Sequence, residues 1–155
     1  MAITIEDATD DHIRHVAHNL READAREACR VTNTDDPVSA VLASADLSRF
    51  TLVGLGADQT PVAIAGVAST NSDKLGIPWL VGTDGITERP IQFLRKAKSV
   101  LAMMFERSGC DQFWNVVDAE NDVHQQWLSW IGADFHREPT KINGFDFFEF
   151  TIRRP

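Results

Sequence analysis

The chain has 155 residues, 43% of them apolar and 25% charged, and a formal net charge of −8. That length predicts one domain, 1–155, with a core of its own, and the acidic balance excludes general nucleic-acid binding, which needs a basic footprint. No apolar run reaches membrane-spanning length, no repeat is present, and the opening MAITIEDATDD is too acidic for a secretion signal.

In chain order, AITIEDA alternates as a first strand. Thr9 and Asp10 offer a cap, and DHIRHVAHNLREADAREACR then reads as one helix with Ile13, Val16, Ala17 and Leu20 inward. Its histidines, His12, His15 and His18, fall at i, i+3, i+6. On a helix that is an arc of about 120° and a rise of about 9 Å, too wide for one metal. After the loop TNTDDP, PVSAVLASA forms a short helix with Pro37 at its first position. RFTLVGLG and PVAIAGVAS are apolar strands joined through ADQT as a hairpin, and GIPWLVGTD is a fourth strand.

A long helix runs from Pro90 to about Arg107, with Ile91, Leu94, Leu101, Met104 and Phe105 as its buried stripe and Gly109 closing it. FWNVVDA is a fifth strand. ENDVHQQWLSWIG is a helix capped by Asn121, with Val123, Trp127, Trp130 and Ile131 inward. The tail folds as a hairpin about NG, with Phe148 and Phe150 on one face. The four tryptophans read as core or interface aromatics. Cys29 and Cys110 lie far apart and form no metal or redox motif, so reduced thiols are expected.

The order β, α, α, β, β, β, α, β, α, β, β predicts an α+β domain, an α/β sandwich with a central mixed sheet of about six to seven strands and about four helices. It resembles the GNAT acyltransferase fold, best in NVVDAENDVHQQWLSWIGADF, where Asn121 opens a helix that Gly132 and Phe135 follow. Over nearly the whole chain, HNLREAD, PWLVGTD, FLRKAK and NVVDAENDVHQQWLSWIG resemble the phage internal virion protein A family, GNAT-like proteins of short-tailed phages.

The GNAT resemblance implies acetyl-CoA or CoA as ligand. Its pyrophosphate would lie on backbone N–H groups where the fourth strand meets the next helix, which falls in GTDGITERPIQFLRKAK. Candidate cofactor contacts are Gly85, Thr87, Arg89, Arg95, Lys96 and Asn121. Candidate catalytic residues are Asp84 as base, with Glu22 or Asp24 as substitutes, and His124 as acid, with Cys110 or Ser129 as substitutes. Three departures stand against the fold's usual chemistry. Gly82 and Gly85 precede Arg89 instead of following it, Pro90 has no N–H to give, and the chain contains no tyrosine, Leu128 standing seven residues after Asn121. Read without the resemblance, Glu22, Asp24 and Glu27 are a solvated helix face, as are Arg95, Lys96 and Lys98.

The resulting expectation is a non-catalytic phage protein, a virion component or assembly factor working through protein contacts with phage or host partners. It would lie in the host cytoplasm or the virion, not be secreted, and hold no metal. The alternatives are an acyl-CoA-dependent N-acyltransferase with a divergent pyrophosphate loop and a regulatory domain that binds the cofactor without transfer.

Overall fold

The computed structural model describes residues 3–155. Strand β1 (Thr4–Asp7) leads into helix α1 (Asp10–His18), whose cap is reciprocal. Thr9 Oγ1 accepts the His12 N–H at 3.2 Å, and His12 Nδ1 accepts the Thr9 N–H at 3.1 Å. A histidine thus fills the place that glutamate usually takes in a capping box.

The single helix expected over residues 11–30 is two, α1 and α2 (Glu22–Thr32). Asn19 ends the first by donating its side-chain amide to the His15 carbonyl at 2.7 Å and its backbone N–H to Val16. The Arg21 N–H then bonds the Gly82 carbonyl at 2.8 Å. That bond to a distant strand takes the donor an unbroken helix would have used. Asn33, left-handed at φ 55°, closes α2. Helix α3 (Pro37–Asp46) starts at Pro37 under an Asp36 carboxylate that accepts the Val38 and Ser39 N–H groups.

The remaining elements are β2 (Ser48–Leu55), β3 (Pro61–Ala68), β4 (Leu75–Gly82), α4 (Gly85–Glu88), α5 (Pro90–Ser108), β5 (Gln112–Asp118), α6 (Asp122–Trp130), β6 (Asp134–Phe135), β7 (Thr140–Ile142) and β8 (Phe145–Arg153). Among the described residues the mixed α+β architecture holds, with eight strands and six helices. The additional elements are the divided first helix, the four-residue α4 and the two-residue β6. Strands lie in the order β1-β2-β3-β4-β5-β8-β6, with β7 also on β8, and every pairing is antiparallel except β4 with β5. The β7–β8 turn is Asn143–Gly144, both at positive φ, as an NG hairpin requires.

Alternation along the strands divides the core between two faces. Val53, Leu55 and Ile64 pack with Ile13, Val16 and Val41 of α1 and α3. Leu52, Ala65 and Val67 pack with Leu101, Met104 and Phe105 of α5 and Leu128 of α6. Two expected stripe positions shift. Ile91 is exposed and Phe93 points inward, stacked on Trp127 with ring centroids 4.1 Å apart. Trp130 is half-exposed while Leu128 is buried. Its indole N–H bonds the Leu94 carbonyl and its ring lies 4.4 Å beneath the Lys98 ammonium, a contact that accounts for the cation at the edge of the stripe.

The central pair is incomplete. Strands β4 and β5 meet only at Leu75–Gln112 and Gly76–Phe113 and then part. Pro78 has no N–H for a ladder. Its carbonyl is taken instead by the Asn115 side-chain amide at 2.7 Å, while Asn115 Oδ1 accepts the Val116 N–H. A side chain stands where the next rung would have formed, and a gap opens beyond it.

Candidate functional site

The gap is the mouth of a cavity of about 370 Å³. Five consecutive β4 residues, Ile77 to Val81, border it, as do Asn115, Val116 and Val117 of β5. Successive strand residues point to opposite faces, so an unbroken run can line one cavity only if that cavity runs along the strand edge. It is a split through the sheet, walled by α2 and α3 on one side and α5 and α6 on the other.

The β4 edge keeps open backbone groups there. Thr83 donates its N–H to Val62 of β3, whereas Gly82 turns its N–H and C=O the other way, to α2. By alternation Leu80 also faces the gap with its N–H and C=O. Beyond Gly76, β5 offers them no ladder partner.

Helix α2 spans the far end of the split. Asp24, 2% exposed, accepts the Gly82 N–H at 2.8 Å on Oδ2. Its Oδ1 accepts from Arg21 Nη2 at 2.7 Å and Asn121 Nδ2 at 3.1 Å. One turn on, Glu27 Oε1 accepts the Asp118 N–H at 2.7 Å and Oε2 meets His124 Nδ1 at 2.9 Å. Further along, Arg30 pairs with Asp118 at 3.1 Å and Glu120 at 2.8 Å. Both lips of the split are therefore held by one helix. The i, i+3 spacing of Asp24, Glu27 and Arg30 spreads them over an arc of about 120° along α2, with Arg21 at its N-cap.

His124 borders the cavity one turn into α6, positioned by Asn121, whose side chain caps the helix by accepting the His124 N–H. Burial alone would push its pKa down. The Glu27 carboxylate overrides that through charge and hydrogen bonding, with Asp24 adding to it, and the net direction is upward from 6.5. With Nδ1 engaged by Glu27, Nε2 is the ring nitrogen left for a further hydrogen bond, as a donor in the charged ring and an acceptor in the neutral one.

Asp24, Glu27 and His124 bring their ligand atoms within 4.8 Å of one another, a spacing that would suit a cation. Each of those carboxylate oxygens already accepts a hydrogen bond, and the Arg21 guanidinium lies among them. A metal would have to displace these donors and share the site with a buried cation. The donor set fits a closed polar network instead. Arg21 Nε is buried without an acceptor among the described residues.

The sequence candidates divide into two groups. His124 borders the split, with Asn121 capping its helix within the buried network, and half-buried Lys96 borders the same cavity from α5. Asp24, weighed as a substitute base, and Glu27, read as solvated, prove to be inner members of the network; their sequence gives no sign of it. Glu22 is exposed. Asp84, Thr87, Arg89 and Arg95 are exposed, Asp84 making no capping hydrogen bond. Gly85 and Arg89 line a second recess of about 290 Å³ beside Asp58 and Thr60. Of the substitute acids, Cys110 is buried against the other side of β4 and Ser129 is exposed.

The backbone after β4 is not an open cradle. The N–H of Gly85 goes to Thr83 Oγ1, that of Ile86 to the Thr83 carbonyl, and those of Thr87 and Glu88 to the Asp84 carbonyl. The start of α5 is less committed. Arg89 provides no side-chain cap, Pro90 has no N–H, and Ile91 and Gln92 occupy first-turn positions whose N–H groups have no intrahelical acceptor.

Folds of this shape are known. No family model matches the sequence, and no curated protein matches it. Among solved structures, a GNAT-family acetyltransferase from Bacillus anthracis superposes with a TM-score of 0.70 at 10% identity, over 99% of this chain and 96% of that one. A GNAT-superfamily phosphinothricin acetyltransferase from Sinorhizobium meliloti, in complex with AcCoA, gives 0.67 at 11% identity over 99% and 89%. Spermidine N-acetyltransferase from Vibrio cholerae, in complex with CoA and spermine, gives 0.65 at 11% identity over 98% and 95%. Identity this low carries the fold alone. The chain has the GNAT fold, and none of these three structures is a phage protein.

Proposed function

We propose that the chain is an acyl-CoA-dependent N-acyltransferase whose proton-transfer group is the His124–Glu27 pair. The observation that carries this reading is the split between β4 and β5, an apolar slot with open backbone groups at Leu80 and a histidine–carboxylate pair at its border. The residues present fit the ligand in two respects. Strand-edge N–H and C=O groups suit an amide-bearing pantetheine arm, and the uncapped start of α5, with Arg89 at its N-cap beside the second recess and Lys96 on the border of the first, suits its phosphates. Such a ligand supplies an acyl group activated as a thioester.

His124 takes the acid's part that no tyrosine in this chain can fill. Glu27 engages Nδ1 and, against the opposing effect of burial, shifts the ring toward its protonated form, so that Nε2 can give a proton to a leaving group. Asn121 and Asp24 are positioning residues, one holding the start of α6 and the other the end of β4.

The test is calorimetry with CoA and acetyl-CoA, followed by thiol release with a panel of amines. His124→Gln is expected to lower turnover by about 10²-fold or more while leaving the acetyl-CoA Kd unchanged. Arg89→Ala and Lys96→Ala should weaken binding. Turnover that survives His124→Gln would remove the histidine from its role.

One observation favours a second reading, the non-catalytic protein acting through contacts in a phage particle or on host proteins. Four consecutive N–H groups after β4 are consumed within the loop, so the fold's usual phosphate cradle is closed. Absence of any CoA binding at millimolar ligand would remove the acyltransferase reading and leave this one to be tested.

A further inference from the structure

The cavity is larger and differently lined than an acetyl group requires. It crosses the sheet and continues between α2 and α3, where Ala28, Val31, Ala40 and Leu47 line it. Val31 and Leu47 border the cavity and are also 36% and 69% exposed, so this arm opens to solvent between them. Every hydroxyl and indole N–H along this arm has a partner in the protein. Thr32 donates to the Ala28 carbonyl at 2.6 Å, Ser44 to the Ala40 carbonyl at 3.1 Å, and the Trp79 indole to Ser48 at 2.7 Å. A polar or cationic acceptor entering here would be desolvated and find no free group to pair with. A hydrocarbon chain loses nothing by it.

We infer that this arm binds the apolar tail of an acyl group longer than acetyl. The proposal rests on the thioester reading above and names its acyl class. The cavity of about 370 Å³ continues from the split into this arm, so a carbon chain has a path beyond the thioester. The chain passes from the His124 side of the split, beneath Trp79, toward the opening at Val31 and Leu47. Trp79 forms a flat wall because Gly66 has no Cβ to lift it; a Cβ there would come within 2.7 Å of the indole.

The experiment is calorimetry with CoA, acetyl-CoA and octanoyl-CoA on the wild type, Ala28→Phe and Leu47→Asp. A buried methylene tightens binding by about fourfold, so octanoyl-CoA is expected to bind at least about tenfold more tightly than acetyl-CoA even when only some of its methylenes are buried. Ala28→Phe narrows the arm and Leu47→Asp places a charge at its mouth; each should bring the two affinities together without changing that of acetyl-CoA. Leu47 is exposed, so its variant serves even if Ala28→Phe fails to fold. Octanoyl-CoA binding no tighter than acetyl-CoA overturns the chain site and leaves the thioester reading standing. If no CoA compound binds, that reading falls, and octan-1-ol decides the site alone. A rise in Tm that Leu47→Asp abolishes supports an apolar-chain site, and no rise overturns it.

Discussion

Removing the Asp24 carboxylate tests the network at its most connected point. Asp24→Ala deletes the acceptor for three donors, Arg21 Nη2, Asn121 Nδ2 and the Gly82 N–H, at a side chain 2% exposed. Leaving the Arg21 guanidinium buried without its counter-charge costs about 3–5 kcal/mol. The stranded Gly82 N–H adds up to about 1–3 kcal/mol, less whatever water entering from the split restores. We expect a net loss of about 4 kcal/mol, which for a domain of this size lowers Tm by about 8–16 °C. Urea unfolding followed by tryptophan fluorescence and by circular dichroism measures it. The paired replacement Arg21→Met with Asp24→Leu should recover part of the loss, since removing both charges leaves neither unpaired. A loss below about 1 kcal/mol in Asp24→Ala, or a double variant worse than the single, would refute the view that this carboxylate holds Arg21 and β4 together.

Three further outcomes follow from the geometry. The His124 pKa is raised in the folded state, so protonation stabilises the fold: the contribution is fully present below pH about 6.5 and is lost as pH rises through the folded value. The stability difference between wild type and His124→Gln should therefore shrink as pH is raised above about 6.5; a constant difference would count against the Glu27 pairing. Gly82→Ala would put a Cβ 1.7 Å from Ile86 Cδ1, an overlap expected to cost about 1–3 kcal/mol or more, and Ile86→Ala in the same chain should relieve part of it in a double-mutant cycle. Cys29 has its thiol pKa raised, first by burial and then by Asp35 and Asp36. Iodoacetamide should modify it more slowly at pH 8 than a free peptide thiol, with Cys110 reacting only on unfolding; rapid labelling of either would contradict the structure.

Local signals carried most of the architecture. Pro37, Gly109 and Asn143–Gly144 each mark a boundary because their backbone restrictions are intrinsic, and each boundary lies where those residues put it. The break after His18 was not legible, because Leu20 continues the apolar stripe and the bond that parts the helices comes from Gly82. The site was half legible. Asn121 and His124 stand out as a cap and a titratable neighbour within one segment, whereas their partners Asp24 and Glu27 are 97 residues earlier on a helix as charged as any solvated one. Arg21, Asp24, Glu27 and Arg30 have the spacing of a surface ion-pair ladder, and only tertiary contact turns that ladder inward. Ile91 misled for a related reason: its period fits the buried stripe, but the entry through α4 gives that place to Phe93.

The reach of α2 across the split also bears on the order in which the chain assembles. Hairpins β2–β3 and β7–β8 join near neighbours in sequence, whereas Asp24 meets Gly82 58 residues on and Asn121 97 residues on. Closing such long loops is entropically costly before the contacts that reward it exist, so late docking of α2 is the expectation to test. Asp24→Ala should then leave the folding rate nearly unchanged and accelerate unfolding, a φ-value near zero. If docking is late, amide exchange along residues 22–32 should run ahead of exchange in β3 and α5. The helix that holds the two lips of the sheet together thus sets when the slot is complete, because both walls are fixed only once Asp24 and Glu27 reach Gly82, Asn121 and Asp118.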